Sequence, residues 1–211
     1  SSDSSGYWRQ IQKYFGRYLG CKVDVLFLIE GHLTRAEIEH KILSSDIIYV
    51  GGGNTLKMMR LWRKLGVNKI LKVAYEKGII LCGISAGSIC WFKYGHRDSM
   101  SFNNPKKWKY INVRGLGFIK GIHCPHYNGE TLGVPRRKHF QSMIRKTGGF
   151  GIAIENNCAI EFIDGRYFKV ITSKPLVKAY KVYKKNGKIV SEEIEQKNDL
   201  SPISLLYEKS R

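Results

Sequence analysis

Gly83-Ile84-Ser85-Ala86-Gly87 stands between a strand-like run, Gly78-Ile79-Ile80-Leu81-Cys82, and a helix-like run, Ser88-Ile89-Cys90-Trp91-Phe92. The G-x-S-x-G pattern alone is weak, but in this setting it reads as a nucleophile elbow. The serine sits on a tight strand-to-helix corner, where its hydroxyl stands clear of the sheet. The start of the following helix then turns backbone N–H groups toward a reacting carbonyl.

Working outward from the elbow, apolar strands alternate with helical patterns through the first half of the chain, as expected of a parallel sheet covered by helices. Tyr7, Ile11, Tyr14, Phe15 and Tyr18 have helical spacing, and Lys22 to Ile29 is strand-like. Thr34-Arg35-Ala36-Glu37 is a capping box that opens a helix ending near Ser44. Asp46 to Val50 reads as a buried strand, Gly51-Gly52-Gly53-Asn54 as a turn into a helix carrying Leu56, Met59 and Leu61, and Val67 to Glu76 as a further helix. Later in the chain, Gly121 to Pro125 reads as a strand end, Pro135 to Lys146 as a helix, and Ile152 to Lys169 as short strands turning at Asp164-Gly165. Lys178 to Val190 alternates around Asn186-Gly187, a type I′ hairpin signal. The expected fold is α/β: a doubly wound, mostly parallel sheet with helices on both faces, a C-terminal β-hairpin, and a single domain over residues 1–211. Folds of this class open on a strand and this chain opens on a helix, so one or more N-terminal strands are expected to be missing.

Composition narrows the function classes. A hydrophobic content of 43% over 211 residues supports one core without metals or disulfides. Cys21, Cys82, Cys90, Cys124 and Cys158 are odd in number and show neither a disulfide framework nor zinc spacing, so they read as reduced thiols of a cytoplasmic protein. No apolar run approaches the roughly 20 residues that span a bilayer, and Ser1 to Gly6 lacks the features of a signal peptide, so no membrane partner is expected. The formal charge of +19 raises nucleic acid or an anionic substrate as partner. Because Arg60, Arg63, Lys64, Lys69 and Lys72 lie along presumed helix faces and Lys181, Lys184, Lys185 and Lys188 along the hairpin, a solvated basic surface is the expected reading and nucleic acid is not.

A serine hydroxyl is a poor nucleophile at neutral pH. It needs a histidine base, held in one tautomer by an acidic or amide partner. His126, in His123-Cys124-Pro125-His126-Tyr127, follows a short apolar strand and precedes a polar loop, which makes it the leading candidate. His123 is its near rival, although a histidine inside a strand is more often a core residue; His32, His40 and His139 read as surface residues of helical patterns. The N–H of Ala86 supplies one oxyanion donor by elbow geometry, and the glycine loop 51–53 at the same sheet edge supplies the second. That loop also reads as a plain helix start capped by Asn54. It lacks the Lys-Ser/Thr of a P-loop and the spacing of a dinucleotide site.

Ile48-Tyr49-Val50-Gly51-Gly52-Gly53-Asn54-Thr55, then Gly83 to Gly87, then Pro125-His126-Tyr127 resembles, in order and spacing, the aspartyl dipeptidase (peptidase E) family of serine peptidases and their relatives the cyanophycinases. The resemblance implies a class I glutamine amidotransferase-like α/β/α fold, Ser85 as nucleophile, His126 as base, and the N–H groups of Gly53 and Ala86 as the oxyanion hole. For the third triad member it leaves Asp98 and Glu155, with Asp98 favoured. It implies that Asn54 and Arg136 bind substrate, that no metal or cofactor is needed, and that a homodimer is admissible. The loop Asn128 to Val134 is shorter than in the family's dipeptidases. The expected function is a cytoplasmic peptidase acting on small peptides with an N-terminal aspartate. The alternatives are a cyanophycinase-like hydrolase and a non-catalytic binding or regulatory module on the same fold.

Overall fold

In the computed structural model residues 4–29, 31–97 and 110–209 are described. The chain divides by its contacts into two units, Ser1–Cys90 and Trp91–Arg211.

The first unit opens with α1 (Ser4–Ile11), continued by a π-helical segment, Gln12–Tyr18. The strand expected over Lys22 to Ile29 does not form. Val23, Val25 and Phe27 alternate as a strand would, but a strand exists only through a partner's backbone, and none pairs here among the described residues. The segment is instead tied by Lys41, whose Nζ pairs with Asp24 and donates to the Val25 carbonyl at 3.4 Å. Lys41 belongs to α2 (Arg35–Leu43), which begins with the expected capping box. Glu37 N donates to Thr34 Oγ1 at 3.3 Å, and Glu37 Oε2 accepts from Thr34 Oγ1 and from Thr34 N, each at 2.7 Å; the hydroxyl first and the backbone N–H second hold the pKa of the Glu37 carboxyl below its ordinary value.

The strand β1 (Ile47–Val50) leads through α3 (Thr55–Leu65) and α4 (Val67–Glu76) to β2 (Ile80–Gly83). The strands pair in parallel, Ile47 opposite Ile80 and Val50 opposite Gly83. A parallel pair needs a crossover, which the two helices supply. They bury Met59, Trp62, Val67, Ile70, Leu71 and Ala74. The strands themselves are not fully buried as expected, since Ile47 is 42% and Ile80 59% exposed.

After β2 comes α5 (Ala86–Ile89), a single turn. The helical run expected to reach Phe92 stops there, because Phe92 already begins β3 (Phe92–Arg97). Aromatic side chains in Trp91-Phe92-Lys93-Tyr94 favour the pleated surface over another helical turn, and Trp91 and Phe92 are buried.

The second unit continues β3 with β4 (Ile111–Arg114), β5 (Ile119–Pro125), the short pair β6 (Glu130–Thr131) and β7 (Val134–Pro135), and α6 (Arg136–Thr147). It then runs through β8 (Gly151–Ile154), β9 (Cys158–Ile163), β10 (Tyr167–Thr172), β11 (Ala179–Lys185), β12 (Lys188–Ile194), β13 (Ser201–Pro202) and α7 (Ile203–Tyr207). Its main sheet has the order β12-β11-β8-β5-β3-β4. Strands β3, β5 and β8 are parallel; β4 on one side and the β11–β12 hairpin on the other are added antiparallel. Successive residues of β8 enter different cores, as strand alternation requires. Ala153 packs with Phe140 and Ile144 of α6, while Ile152 packs with Phe92, Phe168, Val170 and Leu206. The expected hairpin turns form with left-handed backbone, φ 52° and 64° at Asp164-Gly165 and 49° and 78° at Asn186-Gly187. The molecule thus has the α/β class expected, with parallel strands at the centre and antiparallel ones appended. No helix among the described residues is long and apolar enough to cross a membrane.

A Cβ at Gly87 would lie 1.8 Å from the Val50 carbonyl oxygen, a backbone atom that cannot turn aside as a side chain can. Gly87→Ala should therefore lower stability by about 3 kcal/mol or more, at the upper end of overpacking effects. Urea unfolding measures this, and a wild-type midpoint would contradict the packing described.

Candidate active site

In the first unit the Val50 carbonyl accepts the Ile84 N–H at 3.1 Å, extending the parallel ladder one step past β2. The same oxygen lies 2.6 Å from where a Gly83 Cβ would be. With β1 this close, the chain can pass only if residues 83 and 87 lack side chains, and the residue between is forced into an abrupt turn. That residue is Ser85, at φ 57° and ψ −113°, outside the regions comfortable for an L-residue. Such a conformation costs on the order of 1–3 kcal/mol and persists only where the surroundings over-determine it. The Ser85 carbonyl accepts from Ile89 N at 3.1 Å and from Ser88 Oγ at 2.8 Å, locking the corner to α5. Ala86 is the fully buried first residue of α5, where a helical N–H has no intrahelical acceptor.

The glycine loop adjoins the serine within the same unit. A Cβ at Gly52 would be 3.3 Å from Ser85 Cβ, and Gly53 has φ 133°. Asn54 Oδ1 accepts the Lys57 N–H at 3.1 Å, so its side chain caps α3. The structure thus brings Ser85, Ala86 and the loop leading to Gly53 together, and gives Asn54 the capping role.

In the second unit His126 follows Pro125 at the end of β5, with φ 54°. Its Nδ1 lies 2.5 Å from Asn156 Oδ1. An amide oxygen only accepts, so Nδ1 carries the proton and the basic lone pair of the neutral ring is on Nε2. Asn156 is held in turn, its N–H donating to Asn128 Oδ1 at 3.0 Å, and the His126 carbonyl accepts from Gly129 N at 2.9 Å.

Glu155, a candidate for the third triad position, has other partners in the structure. Its carboxylate, 9% exposed, accepts from Arg137 Nη2 at 3.1 Å, from Lys178 N at 3.0 Å and from Tyr180 Oη at 3.4 Å. These bonds anchor β8 to α6 and β11, and the next residue, Asn156, takes the place against His126. The other candidate, Asp98, lies outside the described residues. Asn156 has no carboxylate and so is not among the candidates the resemblance leaves, although an amide partner is chemically admissible and stands at the same strand end.

His123, the rival base, is a core residue 1% exposed. It stacks on Phe92 with centroids 4.5 Å apart, its Nδ1 is 3.0 Å from the Ile152 carbonyl, and burial pushes it down to about 4. His139, expected at the surface, is half-buried, with Nδ1 3.2 Å from His96 Nε2, and burial lowers its pKa as well. Arg136 is 5% exposed at the first position of α6. Its Nη2 donates to Thr131 Oγ1 at 2.8 Å and its guanidinium stands 5.5 Å from the Tyr110 ring centroid.

An α/β unit with parallel strands and a strained serine elbow defines a hydrolase-like architecture. The sequence pattern of peptidase family S51 matches residues 1–170, and the chain belongs to that family. It is 33% identical over 188 residues to the uncharacterized peptidase YgaJ of Bacillus subtilis, covering 86% of this chain and 74% of that one. It is 27% identical over 158 residues to the uncharacterized peptidase Lmo0363 of Listeria monocytogenes, covering 74% and 73%. Among solved structures, a peptidase from an acI-B1 Actinobacterium superposes with a TM-score of 0.66 at 16% identity, covering 96% of this chain and 78% of that one. A Listeria monocytogenes EGD-e structure that carries the peptidase E name superposes at 0.53 with 17% identity, covering 88% and 77%. The chain is thus a peptidase-family protein on a peptidase E-like fold.

Buried His123 predicts a pH dependence of stability. Its folded pKa, about 4, is below the ordinary 6.5, so the unfolded chain binds the extra proton between these values. Stability should fall as pH drops from 6.5 to 4, by about 3 kcal/mol from this residue. Urea unfolding across that range should show a shallower slope for His123→Gln than for wild type; equal slopes would contradict a neutral buried His123.

Proposed function

We propose that the protein is a serine peptidase of the cytoplasm that cleaves small peptides with an N-terminal aspartate through an acyl-enzyme on Ser85. The observation that carries this reading is the enforced backbone of Ser85, because a conformation this costly is kept at nucleophile elbows. The family, the order of the motifs and the Asn156–His126 pair support it. All five cysteines are free, which suits a reducing compartment.

Each side chain then has a role. His126 Nε2 takes the Ser85 hydroxyl proton as Oγ attacks the substrate carbonyl. The Gly53 and Ala86 N–H groups bind the oxygen as it gains charge. The histidine returns the proton to the departing amine nitrogen, and a water repeats the sequence to release the acyl group and regenerate Ser85. Asn156 fixes the ring and its tautomer but, unlike a carboxylate, adds no charge to stabilise the imidazolium. Arg136 is the proposed contact for the substrate's acidic side chain. A guanidinium at the first position of α6 opposes the helix dipole, so its placement is better explained by an anionic ligand than by helix stability.

With Asp-X dipeptides as substrates, Ser85→Ala and His126→Ala should each lower kcat at least about 10⁴-fold without unfolding the protein. Release of aspartate is the assay, and no turnover of any Asp-X dipeptide by folded wild type would end the dipeptidase reading; release of β-Asp-Arg instead would favour the cyanophycinase-like one. Asn156→Asp should raise the pKa of His126 and move the acid limb of the pH–rate profile upward by about one unit, since a nearby opposite charge favours the protonated ring. An unmoved limb would show that residue 156 does not set the state of the base.

A further inference from the structure

We infer that Tyr7 of α1 is a catalytic residue, its hydroxyl donating a hydrogen bond to the reacting acyl group, an inference that rests on Ser85 being the nucleophile. The ring lies along the glycine loop. A Cβ on Gly51 would meet its Cγ at 3.0 Å and its Cδ1 and Cδ2 at 3.1 Å, while a Cβ on Gly52 would meet its Oη at 2.5 Å. That Gly52 position is also 3.3 Å from Ser85 Cβ, so the phenol is aimed along the loop with its hydroxyl end nearest the nucleophile. Gly51 and Gly52 leave open the space the ring occupies, and any larger residue at either would displace it.

Packing alone accounts for a ring here but not for a hydroxyl, since phenylalanine would cover the loop equally well. Tyr7 is half-buried, and no side-chain or backbone group among the described residues engages its hydroxyl, which leaves the O–H able to donate to a bound group. Tyrosine hydroxyls serve as oxyanion donors elsewhere in acyl transfer. Here the hydroxyl and Ser85 Cβ both stand against the Gly52 position and the serine's backbone is already enforced, so a donor at this place needs little reorganisation when substrate arrives. No proton is transferred in this role: the O–H bond stays intact and only its hydrogen bond forms as charge develops.

The test is Tyr7→Phe, which keeps the ring and removes only the hydroxyl. A fluorophosphonate, whose phosphoryl oxygen takes the place of the oxyanion, is used as probe, with labelling of Ser85 followed by mass spectrometry. The expected result is a labelling rate constant about 10- to 100-fold below wild type at an unchanged thermal midpoint. A wild-type labelling rate in Tyr7→Phe would overturn the role of Tyr7 and leave the serine reading standing. A rate that falls together with the thermal midpoint would assign Tyr7 to packing and overturn it as well. Failure of wild type to label at Ser85 would remove both.

Discussion

The closeness of the Val50 carbonyl to Gly83 and Gly87 is the constraint on which the candidate site depends. It fixes the spacing between the end of β1 and the start of α5, and so demands glycine at both ends of the elbow. With its neighbours in place, Ser85 has no relaxed alternative to φ 57°. The strain belongs to the packing of two parallel strands and a single helical turn, and the residue that bears it is the proposed nucleophile. The stability spent there is recovered in the core formed by α3 and α4, where Met59, Ile70, Leu71 and Ala74 are almost wholly removed from water.

In the second unit the corresponding organisation is a set of hydrogen bonds to the ends of β5 and β8. Two histidines three residues apart on one strand receive opposite treatments. His123 is sandwiched against Phe92 and kept neutral by burial, whereas His126, just past Pro125, is held by a side-chain amide that is itself anchored by Asn128. Charge is handled locally too. Glu155 is matched by Arg137, and Lys181, 7% exposed, is matched by Glu192 and by the carbonyls of Leu205 and Glu208. Much of the +19 remains on exposed side chains, where it sets the sign of the surface field and adds nothing to the stability of the fold.

What could be read from the sequence was whatever local chemistry decides. The capping box at Thr34, the hairpin turns at Asp164-Gly165 and Asn186-Gly187, the elbow glycines and the crossover helices all depend on residues within a few positions of one another. The readings that failed depended on partners far along the chain. Lys22 to Ile29 has the alternation of a strand and pairs with no neighbour among the described residues. Ser88 to Phe92 has helical spacing, but Phe92 is drawn into β3 by stacking on His123, thirty-one positions on. Glu155 and Asn156 are adjacent, and which of them meets His126 is settled by Arg137 and Lys178 taking the carboxylate, a tertiary pairing that no local pattern reveals.

A crystal structure of the protein inactivated by a fluorophosphonate tests the central claim most directly. The account predicts phosphorus bonded to Ser85 Oγ, its phosphoryl oxygen about 3 Å from the backbone nitrogens of Gly53 and Ala86, and the His126 ring within hydrogen-bond reach of the modified serine. Phosphorus on another residue such as Ser88, or an oxygen turned to solvent away from both nitrogens, would contradict it.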